Sequence, residues 1–186
     1  DAYLGDYPKT FEYDGKEYTP RSFADELGIN PDDYVEITSF THHPFYTQFI
    51  LEIPDNWLYS IVYNVPLDEM IEIMDHAIEE GYTMAWGSDV SDKGFSWTNG
   101  VAIIPEADLE DMSGTEREKW EKLTDREKQK QLYDFDGPGD EKEITQEMRQ
   151  KDFDNWQTTD DHGMQITGIA EDQEGNKYYI VKNSWG

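Results

Sequence analysis

The chain has 186 residues, of which 36% are hydrophobic and 14% aromatic, enough for one ordinary domain with a buried core, and this excludes wholesale disorder. Lys and Arg number 15 against 42 Asp and Glu, and the net charge of −27 repels phosphate backbones and anionic head groups, so neither nucleic acid nor a membrane is expected as a partner. Cys is absent, which excludes disulfides, thiolate metal sites and a thiol nucleophile from these residues, and no apolar run reaches the roughly 18 residues of a membrane span.

Residues 1–33 read as a polar N-terminal extension carrying one short helix, with Thr19 as cap, Pro20 in the first turn and Gly28 as the stop. Three extended runs follow, at 32–40, 49–53 and 58–65, each rich in β-branched and aromatic residues. Pro66 then opens a helix over 66–80, whose Leu67, Met70, Ile71, Met74, Ala77 and Ile78 fall on one stripe and which stops at Gly81. That stripe is read as a face packed on a sheet. Two more extended runs, 82–86 and 101–104, flank the loop Gly87–Gly94 and suggest a strand, loop and strand unit. From 106 to 156 the chain is dense in acidic and basic residues and reads as a charged helical insertion. It holds two capping boxes, Ser113/Glu116 and Thr124/Glu127, and a last helix over 145–156.

The final segment, 157–186, carries the chemistry. Two β-rich runs, 164–170 and 177–182, are joined by Glu171, Asp172, Gln173, Glu174, Gly175 and Asn176, a composition that suits a hairpin. His162 is placed just before the first strand and Asn183 just after the second, so antiparallel pairing brings them to one end. An amide oxygen that holds one imidazole nitrogen fixes the tautomer and leaves the other nitrogen to exchange a proton with a nucleophile. Trp185, two residues on, points to the same side and is placed to cover that bond. By spacing alone the pair is open to a structural reading as well as a catalytic one.

Other signals have plainer readings. Adjacent His42 and His43 in an extended segment point to opposite faces and are read as packing residues, with no metal site. Asp134, Asp136 and Asp140 around Gly137 lack the regular spacing and late Glu of a calcium loop. Asp160 and Asp161 either raise the proton affinity of His162 or sit in solvent.

The string Asp161, His162, Gly163, Met164, with Lys182, Asn183, Ser184, Trp185, Gly186, resembles the His and Asn motifs of papain-like cysteine peptidases. Tyr34 to Tyr46, Ile53 to Trp57, Asn64–Val65–Pro66 and Gly87 to Val90 are similar to the bleomycin hydrolase (aminopeptidase C) branch, over roughly residues 18–186. The resemblance implies an α+β papain-like fold, an antiparallel β-barrel or sheet lobe with a packed helix and the charged insertion. It implies His162 as general base and acid, Asn183 as its orienter and Trp185 as the shield. It places Gly87, Ser88 and Asp89 along the substrate cleft, with Asp89 either meeting a substrate amine or acting as a solvated loop acid.

The family's Cys and oxyanion Gln lie in a half of the enzyme that has no match here. The chain opens at Asp1 without Met and stops at Gly186 after a strand-like run, so both ends are expected to be cuts in a longer protein. The expectation is a fragment of an aminopeptidase, inactive alone, whose partners are a peptide substrate, the missing Cys-bearing half and, when intact, a homohexameric ring. No cofactor is expected, and a cytoplasmic location is favoured by the resemblance alone. A noncatalytic peptide-binding or inhibitory homologue that has lost the nucleophile is the competing reading.

Overall fold

In a computed structural model, residues 3, 5–106, 113–134 and 137–185 are described. The N-terminal extension folds as a hairpin, β1 (Phe11–Tyr13) and β2 (Lys16–Tyr18), followed by helix α1 (Pro20–Glu26). Thr19 and Ser22 cap α1 reciprocally, and the rings of Phe11, Tyr13 and Tyr18 gather around Phe23 at 5.1–5.3 Å. This cluster lets a short polar segment hold a fixed shape.

The extended run expected over 32–40 is mostly not strand. Asn30 caps a single 3₁₀ turn at Pro31–Asp33, and only β3 (Ile37–Thr38) pairs. It lies parallel to β5 (Ile61–Asn64), which also takes β4 (Gln48–Ile50) antiparallel on its other edge. Phe40, Phe49 and Val62 form the core beneath this sheet, with Leu51 and Phe153 against it.

Asn64 organises the neighbouring chain. It is fully buried, its Oδ1 accepts from Phe40 N at 2.9 Å, and its Nδ2 donates to Phe40 O at 2.8 Å and His43 O at 3.0 Å. A buried amide that satisfies backbone groups on both sides of a turn fixes that turn's path.

Helix α2 (Leu67–Glu79) follows Pro66 and turns its half-buried Met70, Met74 and Ile78 inward. Its Asp75 ties it to a second sheet, accepting from Lys177 Nζ and from the Tyr179 hydroxyl, each at 2.6 Å. That sheet has the order β10–β9–β6, with β6 (Met84–Ser88), β9 (His162–Glu171) and β10 (Lys177–Lys182) all antiparallel. The extended runs expected at 82–86 and 101–104 both contain strand, but they lie in separate sheets: β6 joins β9, and β8 (Val101–Ala102) pairs with the short β7 (Phe95–Ser96). Burial explains the choice, because β9 offers Met164 and Ile166, both buried, while β8 is exposed. On the β9–β10 hairpin the register slips between Ile180↔Gly168 and Val181↔Ile166, so Thr167 has no partner across the ladder.

In the charged insertion, α3 (Gly114–Lys122) starts at the Ser113/Glu116 box, and α4 (Asp125–Leu132) starts at Thr124/Glu127. Residues 107–112 and Asp136 of the calcium-like loop lie outside the described residues. Helix α5 (Gln146–Asp154) docks on the first sheet through polar side chains. Gln146 Oε1 accepts from Ser39 Oγ and Leu67 N, Arg149 Nε donates to Ser39 O, and Gln150 Oε1 accepts from Thr41 N. The architecture is α+β, with helices and several small sheets and, among the described residues, no closed barrel. No helix among the described residues is long and apolar enough to cross a membrane.

Candidate functional site

His162 is the first residue of β9, not the residue before it, and Asn183 follows the last residue of β10. The hairpin connection is held by Asp172, whose Oδ1 accepts from Glu174 N and Asn176 N, while Gly175 takes φ 87°, a conformation that suits Gly. The ladder returns the chain so that His162 Nε2 lies 2.9 Å from Asn183 Oδ1. An amide oxygen only accepts, so Nε2 donates in this contact and Nδ1 is the nitrogen that the amide leaves unengaged. The same Oδ1 also accepts from Ser184 N at 2.7 Å, which pins the amide.

The Trp185 ring lies over the imidazole, with centroids 4.5 Å apart and planes at 33°. Phe95 of β7 meets Trp185 edge-on at 6.0 Å. Trp185 remains 47% exposed, so the indole meets the imidazole on one side and leaves much of its surface to solvent. Gly186, the last residue of the motif, lies outside the described residues.

Strand β6 forms the adjoining wall. Ser88 pairs with His162 and Gly87 with Gly163, and Ser88 Oγ donates to His162 O at 3.4 Å. Gly87 and Ser88 thus stand beside the imidazole-bearing residue. Asp89 does not present a free carboxylate: Oδ1 accepts from Ser91 N and Oγ, and Oδ2 accepts from Thr159 N. Desolvation alone would raise its pKa, but these hydrogen bonds outweigh it and hold the carboxyl below the usual range.

The two acids before His162 have separate places. Asp161 Oδ1 accepts from Val90 N at 2.9 Å, which ties the loop after β6 to the start of β9. The Asp160 carboxylate lies over Gly87, where an added Cβ would come within 2.6 Å of Oδ2. Desolvation, then the charges of Asp55 and Asp161, push its carboxyl upward. The sequence alone leaves the places of Asp160 and Asp161 open, because they follow from the pairing of β6 with β9, which has no local signal.

His42 and His43 depart from their expected geometry. Residues 41–46 form turns and not an extended segment, so the rings converge, with centroids 4.8 Å apart. The alternation rule fails because Asn64 curls this backbone.

No protein-family model matches the chain, and no curated protein matches it. Among solved structures it is similar to the crystal structure of PepW from Lactobacillus rhamnosis HN001 (DR20), with a TM-score of 0.58 at 21% identity. The match covers 98% of this chain and 38% of PepW, so the chain spans well under half the length of that structure. The chain has an α+β fold similar to PepW.

Proposed function

We propose that this chain is the His- and Asn-bearing part of a papain-like cysteine aminopeptidase of the bleomycin hydrolase branch. The observation that carries the reading is the 2.9 Å contact between His162 Nε2 and Asn183 Oδ1 beneath Trp185. The likeness to PepW supports the fold of that reading.

In the proposed reaction, His162 Nδ1 takes the proton of a Cys supplied by residues outside this chain, and the thiolate attacks the scissile carbonyl. The imidazolium then gives that proton to the leaving amine, and water releases the acyl group. Asn183 is a positioning residue that holds the ring, and Trp185 shelters its bond. Gly87 and Ser88 border the bound peptide, and Asp89 holds that wall in place. With no Cys of its own, the chain alone does not hydrolyse peptides.

The test is release of N-terminal residues from short peptides by the full-length protein. Activity should disappear on thiol alkylation and fall by about 10²–10⁴-fold in His162→Ala. Activity undiminished in His162→Ala would overturn the reading. Peptide binding without cleavage, insensitive to alkylation, would establish the noncatalytic homologue instead.

A further inference from the structure

The turn at residues 41–46 gathers a second set of imidazoles, remote in sequence from the candidate active site. The His42 ring stacks on Phe153 of α5 at 5.4 Å and 10°. The His43 ring stacks on Phe49 of β4 at 4.2 Å and 23°, and its Nε2 lies 3.7 Å from Glu52 Oε2. One ligand atom each from His42, His43 and Glu52 lies within 4.8 Å of the other two.

We propose that His42, His43 and Glu52 bind one divalent ion of the zinc class, with water completing its coordination. Two imidazoles and a carboxylate are the donor set that suits zinc and its neighbours, whereas calcium and magnesium prefer all-oxygen shells. Metal bonds of about 2.0–2.2 Å require the donors to draw closer than they stand here. Glu52 can supply its share of that movement, because its side chain is 72% exposed. The rings need little further ordering, since Phe153 and Phe49 already hold them, and this lowers the entropic cost of binding.

Gln150 presents both amide atoms to His42 Nδ1, the nitrogen at 3.2 Å and the oxygen at 3.5 Å. Either tautomer of His42 therefore has a partner, and a partner behind a ligating His is what tunes such a ligand. The net charge of −27 concentrates cations around the chain. An ion here would join the turn at residues 41–46 to the loop that follows β4.

The experiment is calorimetric titration of Zn²⁺ into tag-free, chelator-stripped protein at about pH 7.5, with the proton release that metal binding to imidazole entails read in a second buffer. One saturable equivalent per chain is expected. Glu52→Gln should weaken it by about tenfold or more, because partners one shell further out already produce effects of that size. His42→Ala and His43→Ala should remove it, while His76→Ala and His162→Ala leave it intact. Glu52→Gln alters an exposed side chain, so it tests the site even if a His variant misfolds. Weak unsaturable uptake, or a saturable event unchanged by Glu52→Gln, would overturn the proposal.

Discussion

Asp89 and Thr159 hold the two sides of the candidate site together: the Asp89 carboxylate accepts from the Thr159 amide at 2.9 Å, ahead of β9. The Asp161 carboxylate makes the reverse contact to Val90, also at 2.9 Å. Each acid thus binds the backbone beside the other, and the position of His162 relative to Gly87 and Ser88 depends on both.

Asp89→Asn should loosen this clasp. The variant turns an amide N–H toward either Ser91 or Thr159, each of which already offers a donor, and should cost about 1–2 kcal/mol at neutral pH. Because the folded-state carboxyl is held below the usual range, its stabilisation is present above the unfolded pKa and is lost as pH falls through the folded one. Urea melts across the acid range should therefore show a shallower acid limb in Asp89→Asn.

Asn64→Ala should destabilise far more than its small size suggests. It strands Phe40 N and Phe40 O where they are buried and releases the half-buried His43 O, at a cost of about 2–4 kcal/mol. The rings of His42 and His43 should separate as the turn relaxes. Chemical denaturation checks the first outcome, and histidine ring chemical shifts check the second.

Two glycines separate packing from conformation. At Gly94 an added Cβ would fall 1.8 Å from Ile103 O, a backbone atom, while at Gly163 nothing lies within 4 Å. Gly94→Ala should cost about 3 kcal/mol by overpacking, and Gly163→Ala should leave stability within about 0.5 kcal/mol. Paired thermal melts decide it.

Trp185→Ala should open the His162–Asn183 contact to water without removing either partner. Loss of the cover should speed exchange of the Nε2 proton by about tenfold, roughly 1.4 kcal/mol of lost protection. Imidazole nitrogen NMR of the wild type and the variant measures this directly. An unchanged exchange rate would show that the indole does not shelter the bond.

The elements most legible in the sequence were those with local signals: the helix after Pro66, the capping boxes at Ser113 and Thr124, and the hairpin closed by Asp172 and Gly175. The meeting of His162 with Asn183 was legible because one hairpin suffices to produce it. Pairings that depend on remote burial were not. Nothing near Met84 announces β9 as its neighbour, and Val101, which has the higher β propensity, remains exposed. Asn64 looked like one more polar residue in a β-rich run, yet its amide bends residues 40–44 and overturns the alternation expected at His42 and His43.

The unopposed Thr167 decides, by odd and even counting, which face of the ribbon Asn183 takes. Had the pairing Lys177↔Glu171 run on without a break, Asn183 would come opposite Gln165, on the side turned away from His162. With Thr167 squeezed out it comes opposite Met164, which shares a side with His162. Sliding β10 by a single position would not stretch the imidazole–carboxamide link; it would put the two groups on opposite faces, so the site can exist only in one alignment of the ribbon.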